Sequence, residues 1–96
     1  MVKKLDSQSA IDEHIGCRIR QARFDLEITQ EELAKVLGIS FQQIQKYENG
    51  ANGISAVRLF DICEFLNVPL QSMFPPLADR RTRPSRTASV SIGVQP

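Results

Sequence analysis

GISFQQIQKYENG, residues 38–50, decides how the rest of the chain is read. It places three glutamines and a lysine within about two helical turns. Ser40 followed three residues later by Gln43 has the spacing of a capping box, so a helix is expected to begin at Phe41. Ile44 and Tyr47 supply an inward face, and Asn49-Gly50 stops the helix. Phe41, Gln42, Gln45 and Lys46 are then left facing out. Positions 42, 45 and 46 are i, i+3 and i+4 and share one side of the helix.

Upstream, Thr29-Gln30-Glu31-Glu32 is a second capping box, with Thr at the N-cap and Glu three residues on. Leu33, Val36 and Leu37 give the helix after it a short apolar face, and Gly38 is placed to end it. Two short helices joined by a tight glycine turn make a helix-turn-helix. Before it, Ile11, Ile15, Ile19, Ala22 and Leu26 fall at helical spacing and predict a helix over 9–26, capped by Ser7 or Ser9. After it, a fourth helix begins near Ser55 with the stripe Leu59, Ile62, Cys63 and Leu66. Pro69 suits the first position of a short fifth helix over 69–73. The expectation is an all-α domain over 9–74. Residues 75–96 hold four of the five prolines, four arginines and no aromatic, and read as a flexible tail.

Charge is divided in the same way. Residues 1–79 carry a net −3 and residues 80–96 a net +4, giving +1 overall. Overall charge therefore does not announce a nucleic-acid binder, and charge placement has to decide. No apolar run approaches the ~20 residues that span a bilayer, and MVKKLDSQSAIDEH has no signal-like apolar stretch. A cytoplasmic chain with two reduced thiols, Cys17 and Cys63, is expected. His14 stands without a Cys/His cluster, so no metal and no cofactor are expected. The carboxylates Asp25, Glu27, Glu31 and Glu32 are close in sequence, but two of them sit in a helix first turn, where the dipole favours acids. With no phosphate loop and no nucleophile–base pair, an enzyme is not expected.

The run IGCRIRQARFDLEITQEELAKVLGISFQQIQKYENG, continued by LFDICEFLNVPL, resembles the phage-repressor (Cro/repressor, Xre-like) family of transcriptional regulators over about 11–74. The resemblance implies a five-helix, lambda-repressor-like fold whose second and third helices read DNA. Two departures stand out: Glu27 where the family often has Gly, and Ile54-Ser55 where it often has Pro before helix 4. A recognition helix offers its N-terminal residues to base edges in the major groove. Glutamine suits that role, because its amide both donates and accepts and can hold adenine N6 and N7 together. Gln42 and Gln45 are the expected base readers, and Phe41 suits a thymine methyl. Lys46 reaches either guanine or a phosphate. Gln43 and Asn49 flank this face as phosphate donors. Gln30 opens helix 2, where free N–H groups favour anions, and the resemblance gives it a backbone or base-edge contact. Arg18 and Arg58 are either phosphate clamps or solvated charges. By resemblance Arg23 pairs with Glu48, tying helix 1 to the reading helix.

One recognition helix covers too few base pairs to single out a site, so a homodimer on double-stranded DNA with a palindromic operator is expected. Phe65, Leu70, Met73 and Phe74 gather at one end of the domain as its expected contact, unless Phe65 and Phe74 cap the core themselves. The rival reading is an antitoxin-type adaptor that holds a protein partner, with the Arg-rich stretch 80–86 docking it. That stretch would otherwise touch DNA loosely or keep the chain soluble.

Overall fold

The computed structural model describes residues 2–76, with side chains from residue 8 onward. The tail expected over 75–96 lies outside these residues except for Pro75 and Pro76. The order is α1 (Val2–Asp25), α2 (Gln30–Leu37), α3 (Phe41–Glu48), α4 (Ala56–Leu66) and a single 3₁₀ turn, Leu70–Met73. Among the described residues there is no strand. The fold is all-α and of the helix-turn-helix kind, as the sequence implies.

Local chemistry accounts for the starts of the short helices. Thr29 accepts from the Glu32 N–H at 3.0 Å while Glu32 accepts from the Thr29 N–H at 2.8 Å, a complete capping box. Ser40 accepts from the Gln43 N–H at 3.1 Å, but the box expected between Ser40 and Gln43 is only half made. The Gln43 amide donates instead to Asn52 Oδ1 at 3.0 Å, because the chain after α3 doubles back beside it. Ser55 caps α4 by accepting from the Arg58 N–H at 3.1 Å, a hydrogen bond that a proline could not supply.

All four helices end alike. At each, one residue takes a left-handed conformation, its N–H bonds three residues back and the next N–H bonds five back. The pivots are Glu27, Gly38, Gly50 and Asn67, with φ of 57°, 72°, 76° and 58°. This is the Schellman arrangement, which satisfies otherwise orphaned carbonyls. Glycine and asparagine suit it; Glu27 does so under strain, at the position where the sequence departs from the family's glycine.

The core joins all these elements. Leu33 and Ile62 are 0% exposed, and Ile19, Ile44, Leu66 and Met73 are nearly as deep. Burying each such side chain contributes about 1.5–3 kcal/mol. Burial pushes the Cys63 thiol up from its usual value, so it packs as a small apolar group. Four expectations are corrected here. First, α1 starts at Val2 rather than residue 9, since residues 2–8 hold no helix breaker; Ser7 and Ser9 lie inside it. Second, Ile11, Leu26 and Val36 are exposed: Ile11 stands on the part of α1 that runs past the core, and Leu26 follows the end of α1. Third, the fifth helix is one 3₁₀ turn, closed by i→i+3 bonds from Ser72 to Pro69 and from Phe74 to Gln71. Fourth, that turn inserts Met73 into the chain's own core, at 1% exposure, which removes it from the expected dimer contact.

Candidate nucleic-acid interface

Gly16, Arg20 and Arg23 recur at i, i+4 and i+7 and share the face of α1 that meets the end of α3. A Cβ at residue 16 would lie 2.4 Å from the Tyr47 carbonyl oxygen and 2.5 Å from that of Glu48. Only glycine allows this approach. It brings the arginines of α1 onto the last turn of α3.

There Glu48 is fully buried at its carboxylate, and Arg23 is nearly so. Arg23 Nε donates to Glu48 Oε2 at 2.7 Å, and Arg23 Nη2 to Oε1 at 2.9 Å. The remaining arm, Nη1, donates to the Ile28 carbonyl at 2.9 Å. A bidentate pair of this kind is the strong form of an ion pair. Gln30 Nε2 also donates to Glu48 Oε1, at 2.9 Å, and Arg20 Nε approaches the same oxygen at 3.5 Å. Burial pushes the Glu48 carboxyl up. The hydrogen bonds from Arg23 and Gln30, the Arg23 charge and the bond from Arg20 outweigh it, so Glu48 titrates below the usual carboxylate range.

The outer side of α3 differs. Gln42 and Lys46 are exposed, Gln45 is half-buried at the edge of the same face, and Phe41 is half-buried at the helix start. Among the described residues, the side chains of Gln42, Gln45 and Lys46 hold no hydrogen bond to the protein. Their donors and acceptors are turned outward on one short helix, and two glutamine amides beside an ammonium can match base edges and phosphates.

The other expected contact residues are already engaged. Gln30 is held by Glu48, and Gln43 by Asn52. Asn49 is exposed, and its Oδ1 accepts from Arg20 Nη2 at 3.4 Å, which leaves its amide N–H groups for a partner. Arg18 and Arg58 each hold one carbonyl through a single nitrogen. Arg18 Nε donates to the Ser72 carbonyl at 3.0 Å, tying α1 to the 3₁₀ turn, and Arg58 Nη1 to the Leu37 carbonyl at 3.2 Å, tying α4 to the end of α2. Arg20 was not among the residues expected to matter. Its spacing from Gly16 and Arg23 was the available signal, but without the position of Glu48 nothing set it apart from other surface arginines. On α4 and the turn after it, Phe65, Leu70 and Phe74 are each about two-fifths exposed, with Phe60 more so.

Among the described residues no group of three or more His, Cys, Asp or Glu is arranged to hold a metal ion, and no helix is long and apolar enough to cross a membrane. The family model described as helix-turn-helix matches residues 19–72, more than half of the chain. An uncharacterized transcriptional regulator in the ATPase CF(0) region of Rhodospirillum rubrum is 54% identical over 67 residues, covering 70% of this chain and 62% of that protein. An uncharacterized HTH-type transcriptional regulator of Sinorhizobium medicae is 47% identical over 74 residues, covering 77% of this chain and 53% of that one. The chain thus spans between about half and three-fifths of the length of these relatives. Among solved structures, the clp gene regulator ClgR from Corynebacterium glutamicum superposes with a TM-score of 0.62 at 26% identity, over 65% of this chain and 66% of that one. With its two short helices, its tied underside and its open outer face, this chain belongs to the helix-turn-helix family of transcriptional regulators.

Proposed function

We propose that the chain recognises a palindromic operator as a homodimer, with α3 lying in the major groove. The observation that carries this reading is the split between the glutamines. Gln30 and Gln43 are bound within the protein, whereas Gln42 and Gln45 present unengaged amides on one face with Lys46. In this reading Gln42 and Gln45 touch bases, Phe41 packs on a thymine methyl, and Lys46, Asn49 and the free valences of Gln30 and Gln43 hold the backbone. Residues 9–74 form the DNA-binding unit.

The dimer rests on exposed apolar residues. Phe65, Leu70 and Phe74 are exposed apolar side chains of the kind that a two-fold contact covers with its own copy; Phe60 lines an open depression with Leu70, and Phe65 another with Val36 and Leu37. Such a pairing sets the two α3 helices into successive grooves about 34 Å apart. The test is to select bound duplexes from random-sequence DNA and then weigh the complex by sedimentation. A two-fold symmetric consensus holding two chains is expected. One chain per selected site overturns the dimer. Failure to enrich any sequence overturns base reading by α3 and favours a partner-holding adaptor.

A further inference from the structure

Two arginines meet the Glu48 carboxylate, and they are not equivalent. Arg23 is buried, and each of its three nitrogens donates to this chain, two of them to Glu48 itself. It neutralises the carboxylate, and the two N–H groups it has left stand on a side chain only 7% exposed. Arg20 has a side chain 42% exposed, and its two contacts are long, 3.5 Å to Glu48 Oε1 and 3.4 Å to Asn49 Oδ1. Its Nη1 and the second hydrogen on Nη2 hold no partner among the described residues. One buried acid against two guanidiniums leaves a net positive charge, and the exposed member carries it.

The location of that charge matters. Arg20 lines one open depression with Arg23 and Phe24 of its own helix and with Thr29, Gln30, Glu31 and Phe41 at the starts of α2 and α3, where Glu31 is the one acid, and it also reaches Asn49 at the end of α3. It therefore stands beside the helix proposed to read DNA, and its neighbours Gln30 and Asn49 carry free amide donors. Of the other arginines of the described helices, Arg23 is taken up by Glu48 and the Ile28 carbonyl, while Arg18 and Arg58 each reach a carbonyl outside this depression. A forked, permanently charged donor in that position is suited to a phosphate oxygen pair. Its loose hold by Glu48 and Asn49 keeps it extended beside α3 without consuming its donors, which lowers the ordering cost of binding.

From this geometry we infer that Arg20 is a DNA-phosphate contact, positioned by Glu48 and Asn49. The inference rests on the major-groove reading above. It concerns backbone affinity only, since a phosphate contact carries no base information.

The test measures binding of wild type, Arg20→Gln and Arg20→Lys to two fluorescent 30-bp duplexes across a salt series. One duplex is the site selected by the protein and the other is of random sequence. Arg20→Gln is expected to weaken both duplexes by a similar factor and to flatten the slope of log K against log salt by about 0.9, the loss of one neutralised phosphate. Between about 50 and 200 mM salt, the ratio of wild-type to variant affinity should then fall about 3- to 4-fold. Arg20→Lys should keep the slope, because the charge remains, and thermal melting of both variants should stay near wild type. An unchanged slope in Arg20→Gln overturns the inference while leaving the major-groove reading intact. So does a fall in melting temperature with binding unaltered, which would make Arg20 a structural tie like Arg23. Wild type that binds neither duplex overturns both the inference and that reading.

Discussion

The two sides of α3 carry similar side chains to opposite ends. On the underside Glu48, Arg23 and Gln30 satisfy one another, and the carboxylate accepts three hydrogen bonds at 2.9 Å or shorter. On the outer side Gln42, Gln45 and Lys46 keep their polar groups for something else. Glutamine stands on both sides, so residue type alone does not separate structure from recognition. What separates them is whether a neighbouring element has come close enough to use the amide. α1 and α2 close over the underside, and no element of the described chain covers the outer one.

The largest expected effect breaks the underside. Arg23→Ala leaves Glu48 buried beside a weakly held Arg20 and should cost about 3–5 kcal/mol in denaturant melts at neutral pH. The same pair gives stability a pH dependence with a definite sign. The folded pKa of Glu48 is depressed, so its stabilisation is complete above the unfolded carboxylate value, about 4.3, and is lost as pH falls through the lower folded value. Arg23→Ala should flatten that acid limb. An unaltered limb would place the acid sensitivity in other carboxylates.

Next come the glutamines themselves, compared across the helix. Gln42→Ala should lose about 1–3 kcal/mol on the selected operator, with little change on random DNA and none in melting. Gln30→Ala should do the reverse in one respect: it removes a hydrogen bond to a charged group and should lower folding stability by about 1–2 kcal/mol. If Gln42→Ala weakens both DNAs equally, Gln42 holds phosphate and the outer face reads fewer bases than proposed. If the two variants melt alike, the Gln30–Glu48 bond contributes nothing and the contrast between the sides is weaker.

A small change away from both sides calibrates them. Glu27→Gly relieves a left-handed pivot and should raise stability by about 0.5–1 kcal/mol, the strain relief partly offset by the greater freedom of glycine in the unfolded chain. Affinity for either DNA should not move. A shift in affinity would show that the turn between α1 and α2 transmits strain to α3.

Much of this was written locally. Thr29 with Glu32, Ser40, Ser55, Gly38 and Asn49-Gly50 mark helix ends by hydrogen bonds that span only a few residues, so the sequence states them directly. The stripes Leu59, Ile62, Cys63 and Leu66 on α4, and Ile15, Ile19 and Ala22 on α1, follow from the helical period and are buried as that period requires. Periodicity misplaced Ile11 and Leu26, because a repeat continues past the point where the opposing surface ends. It could not distinguish a short α-helix from a 3₁₀ turn at Leu70–Met73, where four residues are too few for a period to show.

By itself, then, the sequence determined helices α2 to α4, their N-caps and the outward set on α3, since each depends on near neighbours and on a fixed rise per residue. Tertiary structure decided which polar side chains are spent. Gly16 lets α1 approach the carbonyls of Tyr47 and Glu48, and only that approach assembles Arg20, Arg23, Gln30 and Glu48 from three helices. The same packing drew Met73 inward and left Phe65, Leu70 and Phe74 at the surface. Contacts between residues as many as 54 positions apart, such as Arg18 with Ser72, depend on where whole elements meet, and no local pattern encodes that.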